Sequence, residues 1–530
     1  MKLGIVIPNT VDDAYRLNAE NGNTHWADFI KKEMDSVNNY QTFRIVEDDE
    51  RMLPGFQEIT CHMIFTVKFD LRRKSRYVAG GHLVKEQPAY NMYSSVVSRE
   101  SMHIGFLLAG ALNDIDLMSG DISNAYLNVK TKEKVWFRAG TEFQDNKGKK
   151  VIIVKALYGL PGSGNAWRAA LADVLRNFME YTSSLADPDV WYKSETKTNS
   201  EQYYSYILCY VDDVLLIHET PQKLMDMLES KYPFKSDKPG KPTMVYLGAN
   251  LQKLPSMTKG KECWGASTVQ YVKEAIANVK QQLKKDGFQF NKKLSDPNYS
   301  PQQSFSAKTY RPEIDTSLEC NDTQGTYYQN LIGVLRWIVE LGHIDIHYEV
   351  SVLSQYLVDP RTGNLAQALH VFKYLDIHKE NFISFDPTYV ELDEPTINDL
   401  HSPETKAKII KEFCPDAEEK IPRNAPKSRG KPVKISSCFV DADHAGNLKT
   451  RRSHTGILIF LNMAPPVHWY SCRQNCIESS TFSSKFIALK TAIETIMALR
   501  YKLRMFGVPI DGPARIFCDN EAVYRTLHRH

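Results

Sequence analysis

Residues 203–218 read Tyr203-Tyr204-Ser205-Tyr206-Ile207-Leu208-Cys209-Tyr210-Val211-Asp212-Asp213-Val214-Leu215-Leu216-Ile217-His218. Aromatic and β-branched residues run up to a polar pair and away from it again, the pattern of a β-hairpin with Asp212 and Asp213 at its turn. Two adjacent acids at a turn are common, and water solvates most such pairs. Here apolar strands enclose the pair on both sides, and carboxylates at a strand junction are costly to bury without cations. The flanks shift the reading from a solvated turn toward a metal site. A short strand that begins near Ile115 and ends near Asp121 could supply a third carboxylate.

The chemistry that needs such a cluster is phosphoryl transfer to a nucleotide. Two divalent ions held about 3.5–4 Å apart serve the attacking and the leaving oxygen. Magnesium prefers hard oxygen ligands, so several carboxylates must converge on one point.

Around this hairpin the chain alternates helices and strands. Trp26, Phe29, Ile30 and Met34 recur at near-helical spacing. Residues 63–69 and 77–78 read as strands, and 100–112, 220–231, 268–285, 327–341 and 364–376 as helices. The stretch 386–433 is rich in Pro, Lys and acids and reads as an irregular linker. A new strand-then-helix unit begins near Ile435. The expected division is 1–250, 251–385, 386–433 and 434–530.

Composition sets wider limits. The 530 residues are 42% hydrophobic and 24% charged, which excludes a wholly disordered chain. No apolar run is long enough to cross a membrane as a helix. No secretory leader is recognisable, so an intracellular setting is expected, either a cytoplasmic particle or the nucleus. Nine scattered cysteines give no disulfide framework, and Cys472 and Cys476 read as free thiols. A net charge of +3 is too small to establish nucleic-acid binding. Local clusters say more: Lys68, Arg72, Arg73, Lys74 and Arg76 fall within nine residues, and Lys449, Arg451 and Arg452 form a second group.

Several segments, in order, resemble the reverse transcriptase region of copia-type retrotransposon polyproteins. Tyr210-Val211-Asp212-Asp213 is similar to the family's Tyr-x-Asp-Asp motif, and Asp121-Ile122-Ser123-Asn124-Ala125-Tyr126-Leu127 to its upstream metal-binding motif. Leu157-Tyr158-Gly159-Leu160 with Ala166-Trp167, the segment from Gly22 to Met34, and the primer-grip-like Tyr246-Leu247-Gly248 complete the series. The resemblance implies an α+β right-hand polymerase with fingers and palm to about residue 250 and thumb and connection beyond. It implies that Asp121, Asp212 and Asp213 hold two Mg2+ ions, with Mn2+ as a substitute. It places Tyr126 where an aromatic gate excludes a ribose 2′-hydroxyl, and Lys68 and Arg76 where fingers residues meet the incoming triphosphate. The implied partners are an RNA template, a DNA primer, their RNA–DNA hybrid and deoxynucleoside triphosphates; no membrane partner is expected, and the oligomeric state is open. Pro161 stands where the family carries Lys, which removes an amide donor and puts contacts from that turn in question.

Residues 434–530 resemble the ribonuclease H domain of the same family, through Cys438-Phe439-Val440-Asp441-Ala442-Asp443, Arg451-Arg452-Ser453-His454-Thr455-Gly456 and Cys518-Asp519-Asn520. The resemblance makes Asp441 and Asp519 metal ligands. Lys485 stands where the second acid is expected, and the last helix of the domain is not recognisable before His530. A lysine repels the cations that an acid would bind, so weak or absent ribonuclease H activity is expected. The competing reading is a catalytically inactive relic, or a nucleic-acid-binding protein. The chain is expected to be a piece of a longer polyprotein, since no integrase, protease or zinc knuckle is recognisable in it.

Overall fold

The computed structural model describes residues 5–47, 50, 54–67, 72–85, 93–109, 114–235, 244–286, 310–388, 419–462 and 466–527. Its centre is a five-stranded antiparallel sheet with strands in the order Asp116–Asp121, Asp213–His218, Gln202–Tyr210, Val190–Thr196 and Thr182–Ser183. The hairpin read from the sequence is the middle of this sheet. Alternate residues enter two different cores, as the two-residue period of a strand requires. Tyr206, Leu208, Leu215 and Ile217 face one core. Ile207, Cys209, Val214 and Leu216 face the other, against Trp167, Leu171, Leu224 and Leu228 from helices Ser163–Asp173 and Pro221–Glu229. On the first side, helix Arg99–Leu107 approaches so closely that a Cβ at Gly105 would lie 3.0 Å from Ile217 and 3.1 Å from Leu208. With both faces buried, a slip of one residue would exchange the two cores, so the register is strongly specified.

The hairpin turn carries strain. Tyr210 pairs with Asp213, leaving Val211 and Asp212 as the two turn residues. Val211 has φ +56°, a conformation disfavoured for a β-branched side chain. The indole Nε1 of Trp167 donates to its carbonyl at 2.7 Å, and Ile122 N donates to the Asp212 carbonyl at 2.8 Å. These two bonds hold the tip in place.

The N-terminal part forms its own core from helices Val11–Glu20 and His25–Asn39, the hairpin Cys61–Val67/Arg73–Ala79 and a four-stranded sheet. That hairpin locks onto the Leu157–Leu160 turn. Ala79 N donates to Tyr158 O at 2.8 Å, and a Cβ at Gly159 (φ +93°) would stand 2.1 Å from Ala79 O. Only glycine permits that approach. Pro161 fits beside Gly81, and the next amide, Gly162 N, bonds Glu133 Oε1 at 2.7 Å.

Beyond the central sheet, strands Val245–Tyr246, Ala249–Pro255 and Glu262–Ser267 are joined by the much later strand Phe382–Phe385, in a sheet that runs across the expected 250/251 boundary. Of the expected linker, 389–418 lies outside the described residues, and 419–433 is irregular. The C-terminal unit is a sheet in the order Pro466–Arg473, His454–Leu461, Ile435–Ala442, Ile516–Cys518, the last strand parallel to its neighbour. Helix Thr481–Met505 makes the crossover that a parallel pair needs and covers one sheet face. Helices and sheets are therefore mixed throughout, as the α+β expectation has it.

The C-terminal unit is not a separate bead. One apolar core runs from Val97 through the connection helices to Val523. The His103 ring stacks on Trp469 at 4.8 Å, and Tyr206 OH donates to Phe506 O at 2.8 Å.

The Trp167–Val211 bond yields a stability test. Trp167→Phe strands a carbonyl at a strained turn and is expected to cost about 1–2 kcal/mol. It would appear as a lower denaturant midpoint at unchanged slope; an unchanged midpoint would show that the bond does not hold the turn.

Candidate active site

The register of the central sheet builds the site. Asp213 is the Cα partner of Asp121 across the strand pair, and Asp212 is the adjoining turn residue. Three carboxylates thus meet at one sheet end. Burial, then Asp121, then Asp212, push the Asp213 carboxyl up to about 7. Burial first, and the two neighbouring acids after it, thus favour the protonated form of this group.

A lysine the sequence did not single out completes the cluster. Segment Pro233–Lys235 runs beside Asp121–Ser123: Ser123 N donates to Pro233 O at 2.7 Å and Lys235 N to Asp121 O at 2.8 Å. The Lys235 ammonium reaches Asp121 Oδ1 at 2.6 Å and Asp212 Oδ2 at 3.5 Å. Burial opposes its charge, but Asp121 and Asp212 outweigh burial and raise its pKa. The Lys235 side chain is 52% exposed, so it can swing into solvent. No three His, Cys, Asp or Glu side chains among the described residues close around a common point as a ready-made ion cage. The donor chemistry nonetheless fits divalent ions. Three hard carboxylates repel one another until one resists ionisation, and a divalent cation relieves that repulsion.

The other expected residues lie beside this cluster, except Lys68, which falls outside the described residues. Tyr126 is half-buried and packs on Tyr158 with ring centroids 4.9 Å apart. Burial and then Asp212 raise its pKa. The Arg76 guanidinium lies over the other ring of this pair, 3.8 Å from the Tyr158 centroid. Arg76, Tyr158, Tyr126 and the aspartates therefore form one continuous wall. Tyr158 was part of a quoted motif but had no assigned role; its signal was the Gly159 that lets the hairpin approach. Tyr246 is buried with its hydroxyl unpartnered among the described residues, and Leu247 and Gly248, both at positive φ, form the turn that follows.

The second acidic site differs. Val440 pairs with Cys518 in the parallel strands, which brings the next residues, Asp441 and Asp519, together. Lys485, from helix Thr481–Met505, bonds Asp441 Oδ1 at 2.6 Å and also bonds Asp519 Oδ1. It is only 15% exposed. Asp443 is turned aside and accepts from His454 N at 2.6 Å. An ammonium held between the two carboxylates that converge here among the described residues does not fit a metal centre.

Residues 40–263 match the family described as Reverse transcriptase (RNA-dependent DNA polymerase). Over those residues the chain is thus similar to the reverse transcriptases of copia-type retrotransposon Pol polyproteins. It is 22% identical over 506 residues to the retrovirus-related Pol polyprotein from transposon TNT 1-94 of Nicotiana tabacum, covering 93% of this chain and 32% of that protein. It is 21% identical over 472 residues to the Pol polyprotein from transposon RE1 of Arabidopsis thaliana, covering 87% and 27%. A solved structure of the foamy viral protease-reverse transcriptase dRH in complex with ds DNA overlays 95% of this chain and 64% of that one, at a TM-score of 0.42 and 10% identity. The chain spans about a third of the length of these two polyproteins.

The carboxylate cluster predicts a pH signature. Asp213 has a raised pKa in the folded state, so the folded protein binds more protons than the unfolded one between the ordinary carboxylate value and about 7. Stability then falls as pH rises through that window. Asp213→Asn is expected to raise the melting temperature in EDTA above pH 7, with the gain vanishing near pH 4. A gain independent of pH would contradict the assigned repulsion.

Proposed function

We propose that this protein is an RNA-directed DNA polymerase that adds deoxynucleotides to a primer 3′-hydroxyl on an RNA template, and then on DNA. The observation that carries this is the convergence of Asp121, Asp212 and Asp213 at one sheet end, inside the segment that matches the reverse transcriptase family. Two Mg2+ ions held by these carboxylates would activate the attacking hydroxyl and stabilise the leaving pyrophosphate.

The chain's own residues supply position and selectivity. Asp121 and Asp213 face each other from paired strands, so their separation is set by backbone hydrogen bonds and not by loop mobility. Lys235, paired with Asp121 and Asp212, would release them were cations held by the carboxylates. Tyr126, packed at a tilt against Tyr158, presents its ring beside the cluster, where a 2′-hydroxyl would collide with it. Arg76 is held against Tyr158 at the same wall and offers positive charge to a triphosphate. Such positioning and electrostatics carry most of the catalysis in phosphoryl transfer.

The C-terminal unit is proposed to be ribonuclease H-like in fold and inactive as a nuclease, because Lys485 fills its acidic site.

Primer extension on poly(rA)/oligo(dT) with Mg2+ tests the polymerase reading. The parent protein is expected to extend the primer, and Asp212→Asn to lower the rate by roughly 10²–10³-fold. Tyr126→Ala is expected to raise ribonucleotide incorporation relative to deoxynucleotide by roughly tenfold or more. No extension by the parent, with retained hybrid binding, would leave the binding-protein reading in its place. For the nuclease, RNA in a hybrid is expected to stay intact; degradation that Asp441→Asn abolishes would overturn the inactive assignment.

A further inference from the structure

Away from both acidic sites, a cavity of about 470 Å³ opens where strand Phe382–Phe385 meets the C-terminal unit. Leu341, Ile344, Phe382, Ile383 and Pro466 give it apolar walls, and Thr268, His343 and Asp345 add polar groups. Among the described residues no lysine or arginine lines it. Its volume falls in the range of small-molecule sites, roughly 300–1,000 Å³.

Two of the lining side chains, His343 and Thr268, are each only 2% exposed. In each, one polar atom is buried without a hydrogen bond among the described residues: His343 Nε2 and Thr268 Oγ1. Buried polar atoms are nearly always paired, so two orphans on one cavity ask for an occupant.

Local structure explains how both come to be left over. Helix Asp322–Glu340 ends in a turn at Gly342, whose φ is +130° and where a Cβ would meet Ile383 Cδ1 at 2.8 Å. Glycine lets the chain pass under the strand and delivers His343 to the cavity. Thr268 directly precedes helix Val269–Asp286, where a threonine hydroxyl ordinarily accepts from a helix amide. Here Ser267 Oγ accepts from Val269 N at 3.3 Å instead, and the Thr268 hydroxyl is spared.

Neighbours decide what the two atoms can bind. Asp345 Oδ1 accepts from His343 Nδ1 at 3.1 Å, and its Oδ2 accepts from the Tyr374 hydroxyl at 3.0 Å. The carboxylate thus holds the ring proton on Nδ1, and in the neutral ring Nε2 is an acceptor. The Thr268 hydroxyl can donate. The cavity's other acid, Glu380, is paired with Lys273 at 2.9 Å. An anion meets no cation in this space, and a hydrocarbon leaves both polar atoms unpaired. A flat, uncharged ring system with one N–H and one carbonyl satisfies both atoms and fills the apolar walls.

We propose that this cavity binds an uncharged aromatic lactam, the class that includes the keto nucleobases. Its N–H donates to His343 Nε2, and its carbonyl accepts from the Thr268 hydroxyl. Binding braces the junction between strand Phe382–Phe385 and Pro466 of the C-terminal sheet. The inference uses neither acidic cluster, so it stands or falls apart from the polymerase reading.

The test is isothermal titration of the full chain with carbostyril, a bicyclic lactam, beside N-methylcarbostyril, which lacks the donor, and quinaldate, which is an anion. Carbostyril is expected to bind and to raise the melting temperature, and the other two to bind at least about tenfold more weakly. Thr268→Val keeps the shape and removes the hydroxyl. His343→Asn keeps a donor toward Asp345 and removes Nε2. Each is expected to lower carbostyril affinity about tenfold, while Lys490→Gln, on an exposed helix face, binds as the parent does. Thr268→Val is also expected to raise the melting temperature of the unliganded protein, because it deletes a buried unpaired group. Melts of both variants check that they fold. No binding by the parent at about 1 mM carbostyril would leave water as the occupant and overturn the proposal. Equal binding of N-methylcarbostyril, or unchanged affinity in both variants, would overturn it too. Tighter binding of quinaldate than of carbostyril would make this an anion site and would also overturn it.

Discussion

Three negative charges held at one end of a sheet are the constraint on which the structure turns. Asp213 cannot move away from Asp121, because the strands that carry them are paired along their whole length and buried on both faces. Asp212 cannot move away either, because its carbonyl accepts from Ile122 N and the preceding carbonyl accepts from Trp167. The two cores on either side of the sheet supply the stability against which this repulsion is held. Such a site is costly to hold empty, and the proposed divalent ions would relieve that cost.

The two lysines show how the same charge has opposite consequences in different surroundings. Lys235 approaches from a chain segment at the edge of the sheet and is half exposed, so it is a provisional counter-ion that water can replace. Lys485 is carried by a long helix packed on its sheet and is mostly covered, so it is a permanent one. The first neutralises an acidic site and leaves it usable. The second turns an acidic site into an ion pair between the helix and the sheet.

Much of the site was legible in the sequence because it is written in short, local patterns. The hairpin appears as apolar strands around an acidic turn, and Lys485 stands out as the wrong charge in a recognisable stretch. What was not legible depends on contacts between distant segments. Lys235 follows Asp213 by a helix and a turn, and only the bridge between Ile122 and Phe234 brings it back. The stack of Arg76 on Tyr158 on Tyr126 joins three segments through the packing of Gly159 against Ala79. Strand Phe382–Phe385 joins a sheet formed more than a hundred residues earlier, and nothing in its four residues names that partner. The shared core from Val97 to Val523 has the same origin: composition suggested separable units, whereas His103, Trp469 and Tyr206 weld them.

The most direct test of the central claim is to count ions at the carboxylate cluster. Mn2+ binding to the protein with a primer–template and a non-hydrolysable deoxynucleotide analogue, followed by electron paramagnetic resonance, should show two bound ions. Asp213→Asn and Asp121→Asn should each remove at least one, and the parent's affinity should fall as pH drops through about 7, where Asp213 gains its proton. Equal Mn2+ binding by the parent and both variants would contradict the assignment of this sheet end as the metal site.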